Sequence, residues 1–451
     1  MSFRFPQLSY RWVIVGCCTV AYAVSFLVRW SYAGLAPFIS EDLHLDKVAL
    51  GLLGGAFFYP YALAQIPWGW LADRIGGRYI IAGGVLLSAV GLACFATAVD
   101  VWTAIVWRML LGLVAATAFV PIASLLARWF SVKDRGVANG IYYGFGGGFG
   151  QGVAFLLMPL LSVYVLQNSS FPVTGWRGSV VVIALLLGFL GVLCFVFLRS
   201  FPSPPIEQPV EVMESTSLPS TKEGEPSAFS RVYKDPVLWL LAAYFSFSLI
   251  ALRLVPAWIS LYASDVYRLE WSFERDVAVI AGGGVGVLYT VGHIVGSPLL
   301  GKLSDWLMRL GVQRLLLPSI SLGVGGLSVS VFLFTIPSPY LLGVVSVFLG
   351  IVLHAFPIIN AVVSERWGVA MTGQSLGGIN MVGQLVGALA LSASGYLGMV
   401  FSSNSADPLS EYHGIWYGVM GCGICGAMCG GIAYWNMSFE LMRGTQPGNP
   451  R

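Results

Sequence analysis

The chain has 451 residues, of which 57% are hydrophobic and only 10% charged, and its formal net charge is +3. That balance excludes a soluble globular enzyme domain. A small net charge segregated by loop gives no footing for nucleic acid.

Apolar runs recur along the whole length, each long enough for the roughly twenty residues a helix needs to cross a bilayer core. They do not alternate polar and apolar as barrel strands do. The first run, Trp12 to Ile39, carries Arg29 near its middle. A central arginine costs roughly 2.5–3.5 kcal/mol on insertion scales and faces a protein interior or a wet cavity rather than lipid. A functional role is therefore the first reading, and an arginine that ties helices together through backbone carbonyls is the alternative. The run is also too long for a cleaved leader and is expected to persist as a helix.

Further spans are predicted to begin near residues 48, 79, 102, 137, 178, 237, 277, 315, 339, 370 and 415. The predicted fold is an all-α membrane protein of twelve transmembrane helices. Between the sixth and seventh spans, residues 199–235 hold Pro202, Pro204, Pro205, Pro209, Pro219 and Pro226 among Ser, Thr and Glu, the composition of a polar linker. Residues 1–198 are then a first six-helix bundle and 236–451 a second.

Lysines and arginines crowd the loops on the side of the two termini. Only Lys47, Arg177, Arg268 and Arg275 fall on the other side, which predicts a cytoplasmic linker and cytoplasmic termini in a cell membrane. Arg29, Arg108 in the fourth span and Arg253 in the seventh belong to no loop, and no Asp or Glu is expected inside a span. The membrane interior is thus read as purely cationic.

The seven cysteines fall in predicted spans and read as small buried thiols rather than a disulfide framework or a metal cluster. Gly144, Gly146, Gly147, Gly148, Gly150 and Gly152 make the fifth span a close-packing surface. His293 and His354 are the titratable groups near neutral pH inside the membrane, each either a cavity group or a packed interface residue. Tyr32, Tyr142, Tyr143, Trp258, Tyr262 and Tyr289 offer hydroxyls and ring faces. Gln374, Asn380 and Gln384 place at least two amides on one face of the eleventh span. Asn168-Ser169-Ser170 is a glycosylation triplet. No nucleotide-binding or catalytic-triad pattern is present, so neither enzyme activity, cofactor nor metal is expected.

The second half echoes the first. Gly69-Trp70-Leu71-Ala72-Asp73-Arg74-Ile75-Gly76-Gly77-Arg78 follows the second span, and Gly301-Lys302-Leu303-Ser304-Asp305 with Arg309, Gly311 and Arg314 follows the eighth. Paired six-helix repeats with a midplane site between them are how many secondary transporters are built. These two stretches resemble the loop signature of the major facilitator superfamily over essentially the whole chain. Arg108-Met109-Leu110-Leu111-Gly112 is similar to its fourth-span arginine motif. The resemblance implies two pseudo-symmetric six-helix bundles that rock about a central site. Asp73, Arg74 and Arg78, with Asp305 and Arg314, are expected to act as cytoplasmic latches in the outward-open state, and Gly69 and Gly301 to let helices approach beside them. Arg108 is expected to brace the external end of its span.

Val28-Arg29-Trp30-Ser31-Tyr32 with Val237-Leu238-Trp239 and Arg253 resembles the organophosphate:phosphate antiporters, in which a first-span and a seventh-span arginine bind substrate. Arg29 and Arg253 sit at matching depths before Asp42 and Asp265, and Tyr61 matches a cavity tyrosine of that family. Gln65 stands where it has a lysine, Gly146 near where it has a histidine, and Ala118-Phe119-Val120 where it has Gly-Trp-Pro. Pro37-Phe38-Ile39-Ser40-Glu41-Asp42-Leu43 and Arg128-Trp129-Phe130-Ser131-Val132-Lys133-Asp134-Arg135 resemble the anion:cation symporters instead. Their acids are replaced by Val28 and Ala115.

The expected function is secondary transport of a small organic or phosphorylated anion, by exchange in preference to proton- or sodium-coupled symport or to a non-transporting receptor. Arg29, Arg253, Tyr32, Tyr61, Gln65, Tyr142, His293 and His354 are the expected substrate site. The expected partners are the anion and the lipid bilayer, for a monomer.

Overall fold

The computed structural model describes residues 7–130, 132–165, 175–201, 233–355, 357–367, 369–402 and 407–442. Most of the expected linker and the Asn168 triplet lie outside the described residues, as does the side chain of Gln374. The described chain is helical, with no strand among these residues. Twelve of its helices are long and apolar enough to cross a membrane. They are α1 Tyr10–Gly34, α2 Lys47–Ile75, α3 Gly77–Phe95, α4 Val101–Trp129, α5 Val137–Tyr164 and α6 Gly175–Phe197, then α7 Pro236–Leu269, α8 Arg275–Arg309, α9 Leu316–Phe334, α10 Pro339–Trp367, α11 Ser375–Phe401 and α12 Pro408–Glu440.

Several helix starts follow from short polar caps beside apolar runs. Asp46 accepts from the Ala49 amide at 2.7 Å to start α2, Asp100 and Thr103 form a reciprocal capping box at α4, and Asp235 accepts from the Val237 amide at 2.9 Å to start α7. Gly76, at a φ of 98°, turns α2 into α3 in a single residue.

Two expectations need correction. Asp73, Asp265, Asp276, Asp305, Glu365 and Glu411 lie within spanning helices, although only in their end turns. The helices outrun the hydrocarbon core: the 35 residues of α8 measure roughly 52 Å at the usual helical rise. The cysteines are less buried than expected, since Cys18 and Cys194 are buried, Cys425 is exposed and the other four are intermediate. Helix faces turned to lipid need no protein cover.

Glycines set the closest approaches. A side chain at Gly150 would run into the Ala23 carbonyl, and a Cβ at Gly146 would lie 2.8 Å from the Thr19 carbonyl oxygen, so α5 rests on the backbone of α1. A side chain of any size at Gly146 would push those helices apart. Between the halves, α2 meets α11 in a similar seam, where Gly51 and Gly55 face Leu391, Ser392 and Ala388 and Gly395 faces Lys47. Tyr59 and Ser392 share a hydrogen bond of 3.1 Å there.

Candidate functional site

Arg29 and Arg253 meet across one phenylalanine. Their guanidinium carbons lie 5.7 and 3.4 Å from the centroid of the Phe58 ring, so their separation cannot exceed the sum of those distances. Phe58 belongs to α2, with Tyr61 and Gln65 following at i+3 and i+7 on the same helix face. Arg29 is half-buried among rings, with its guanidinium carbon 4.4 Å from the Phe26 centroid and 4.6 Å from that of Tyr61. Its Nε and Nη2 are buried without a hydrogen-bond partner.

Arg253 is 4% exposed. Its Nη2 donates to Gln384 Oε1, while its Nε and Nη1 are unpartnered. Room for it comes from Gly387, where a Cβ would lie 2.7 Å from Nε. Gln384 Nε2 donates to Asn380 Oδ1 at 3.1 Å, and Asn380 Nδ2 donates to Gln65 Oε1 at 3.2 Å, which carries the relay from one half to the other. Gln65 Nε2 ends the relay, buried and free. Phe58, Asn380 and Gln384 were not among the expected site residues. Helical spacing was the available signal: Asn380, Gln384 and Gly387 repeat at i, i+4 and i+7, as do Tyr22, Phe26 and Arg29.

Arg108 holds backbone. It is wholly buried, donating Nη1 to the Val28 carbonyl at 2.7 Å, Nη2 to the Arg29 carbonyl at 3.0 Å and Nε to the Leu53 carbonyl at 3.3 Å. From the first third of α4 its side chain reaches across to brace the backbones of α1 and α2. Tyr32 is turned toward this clamp, with its ring 4.5 Å from the Arg108 guanidinium carbon and its hydroxyl end against Gly54.

Tyr142 makes an edge contact of 5.2 Å with Tyr22, which in turn packs on Phe26 at 5.0 Å. His293 and His354 are brought to each other instead of to the arginines. Their rings stack at 3.7 Å, 15° from parallel, between α8 and α10, and both are buried. The ring Nδ1 of His354 is bonded to the Gly350 carbonyl at 2.8 Å, and that of His293 has no partner.

Residues 18–391 match the Major Facilitator Superfamily. The chain belongs to that superfamily. A probable hexose phosphate transport protein of Chlamydia pneumoniae is 23% identical over 63% of this chain and 62% of its own length. A probable sulfoacetate transporter, SauU, of Cupriavidus necator is 30% identical over 42% of each chain. The chain therefore matches less than two thirds of the length of these relatives. A bacterial homologue of the human lysosomal transporter Spinster, solved inward-facing and unoccupied, covers 96% of this chain and 98% of its own at a TM-score of 0.69 with 18% identity, a likeness of fold.

The superfamily's repeated loops lie at the end of the molecule where the described chain begins, at Gln7, and ends, at Met442. Asp73 accepts from Ser124 at 3.0 Å and Arg128 at 2.9 Å, Arg74 stacks on Trp70 at 3.9 Å, and Arg78 donates to the Phe195 carbonyl at 2.9 Å. Arg314 pairs with Asp305, and with Glu365 at 2.6 Å. Gly69 allows a close approach to Val120, as expected of a packing glycine, but Gly301 has open space beside it.

Each ion pair resolved among the described residues at this end stays within one half. The opposite end differs, because Arg275 binds Glu41 and Lys47 binds Glu411, both from one half to the other. A crevice of about 420 Å³ lies among these groups, at the Lys47–Gly395 end of the α2–α11 seam, and is lined by neither Arg29 nor Arg253.

Proposed function

We propose that this chain moves a small organic or phosphorylated anion across a membrane by alternating access, exchanging one anion for another. One observation carries the reading: among the described residues, Nε and Nη2 of Arg29, Nε and Nη1 of Arg253 and Nε2 of Gln65 are five buried donors without partners. Buried donors left unpaired cost about 1–3 kcal/mol each, more on a charged group. An oxyanion answers all of them at once through charge-assisted bonds. The anionic substrates in the names of the hexose phosphate and sulfoacetate relatives agree with it.

Exchange follows from charge. Among the described residues no carboxylate lies near the middle of a span, so the empty site keeps two guanidiniums close together without a counter-ion. Reorienting a site in that condition is costly, and a bound anion removes the cost.

In the proposed topology the termini and the linker, residues 199–235, face the cytoplasm. The state described is then closed to the outside by Arg275–Glu41, Lys47–Glu411 and the glycine seam. One chain holds the whole site, so a monomer suffices. The test is counterflow in proteoliposomes: labelled phosphate or a labelled dicarboxylate should enter only when an anion is loaded inside, and Arg29→Ala or Arg253→Ala should abolish entry. Uptake driven by a proton gradient and indifferent to the internal anion would overturn exchange. That outcome would favour a second reading, proton-coupled symport, for which the stacked His293–His354 pair with its free Nδ1 is the supporting observation.

A further inference from the structure

The amide relay beside Arg253 has only one chemically allowed direction. An amide's oxygen and nitrogen are ordinarily hard to tell apart in a structure, but arginine has donors and no acceptor. The group of Gln384 that meets Arg253 Nη2 must therefore be its carbonyl oxygen. That turns Gln384 Nε2 toward Asn380 Oδ1, which turns Asn380 Nδ2 toward Gln65 Oε1. Gln65 is left presenting a nitrogen, and that nitrogen is free. The charge on Arg253 is in this way rewritten, three residues later and on the opposite half, as one more N–H donor.

The polar lining is consequently one-sided. Arg29 offers two free donors, Arg253 two and Gln65 one, and the indole N–H of Trp30, whose ring packs on Phe58 at 6.2 Å, is also unpartnered. The oxygens of Gln384, Asn380 and Gln65 each already accept along the relay. The other walls are the rings of Phe26, Phe57 and Phe58, which neither donate nor accept conventional hydrogen bonds. Among the described residues, Tyr61 is the one ring against Arg29 with a hydroxyl able to take either role. A ligand that brings only acceptors is matched here, and a ligand that brings several hydroxyls finds few places for their hydrogens.

We infer that the site takes an organic oxyanion without hydroxyl groups, a carboxylate or sulfonate on a plain carbon chain or ring, and discriminates against polyhydroxylated anions with the same head. This rests on the assignment of Arg29 and Arg253 as the anion site. The relay sets the preference by engaging each of its amide oxygens once and leaving the Gln65 nitrogen free.

Matched ligands test it on the purified full-length chain in detergent. Titration calorimetry would compare adipate with galactarate, the same six-carbon diacid bearing four hydroxyls, with inorganic phosphate and sulfate as head-group controls. Adipate should bind at least about fivefold more tightly, the least expected if even one hydroxyl is buried without a partner. Gln384→Met removes the group that fixes the relay's direction and frees the Asn380 and Gln65 amides to turn. The adipate-to-galactarate ratio should then fall toward one while adipate still binds.

Galactarate binding as tightly as adipate to the unaltered chain would overturn the inference and leave the anion site standing. An unchanged ratio in Gln384→Met would also overturn it. Failure of adipate, galactarate, phosphate and sulfate alike would sink the anion site itself.

Discussion

Three arginines lie inside this bundle, and two regions use them in opposite ways. Around Arg108 all three kinds of guanidinium nitrogen donate to backbone carbonyls of α1 and α2, and two rings cover its faces. Around Arg29 and Arg253 the rings are there but most donors are free. A fully satisfied buried cation is a structural tie, while a pair of unsatisfied ones is a site waiting for a ligand. The two are also linked, because Arg108 grips the carbonyl of Arg29 itself.

The comparison breaks most plainly at the pair. Arg29→Ala or Arg253→Ala should weaken anion binding by on the order of a hundredfold, the loss of two charge-assisted hydrogen bonds. The thermal midpoint of the empty protein should hold or rise, since an uncompensated charge has been removed. A fall of several degrees in the unliganded chain would place these arginines with Arg108. Arg108→Ala should do the reverse in kind: it opens a cavity and deletes three donated bonds, which costs about 2–4 kcal/mol of stability. Binding falls with it only as far as Arg29 loses its footing, and thermal melts with and without phosphate separate the two effects.

Gly387→Ala sharpens the contrast more gently. Its methyl would press on Arg253 Nε and Cδ, at 2.7 and 2.9 Å, so the side chain must move off Gln384. Affinity should drop about tenfold, the equivalent of one hydrogen bond to a charged group, with little change in the melt. At the far end, Lys47→Gln with Arg275→Gln removes both bridges between the halves. Exposed pairs are worth about 0.2–1 kcal/mol each, so spin-label distances across that face should show the open population rising by no more than about thirtyfold. His293→Gln should change anion affinity least, by less than about twofold at neutral pH, because the imidazole pair stacks on itself and not on the arginines; a larger change would join the two clusters.

Much of this was legible in the chain. The sum of apolar runs gave twelve helices, since crossing a bilayer demands length and hydropathy that few other structures need. Matching depth before Asp42 and Asp265 brought Arg29 and Arg253 to one level. The residues placed on each face by loop charge are the ones that pair there, as Arg177 with Asp42 and Arg366 with Glu440. Less legible were the assignments that depend on rotation about a helix axis. Tyr32 lies one turn past Arg29 and was expected at the substrate, yet it faces Gly54 and Arg108. His293 and His354 are buried as expected of either role, and only the packing of α8 on α10 decides that they face each other.

What the sequence determined by itself is whatever depends on local chemistry: which segments are apolar, where polar caps start helices, which three cations cannot escape the membrane, and that one loop signature occurs twice. The tertiary structure alone decided which of those cations is already satisfied, that Phe58 brings the other two together, and in which direction the relay of amides runs. Those outcomes hang on partners far apart in the chain, 131 positions for Arg253 and Gln384 and 315 for Gln65 and Asn380. Hydropathy and spacing record what a residue needs from its surroundings, and folding across such distances decides whether a neighbour supplies it or the vacancy is left for a ligand.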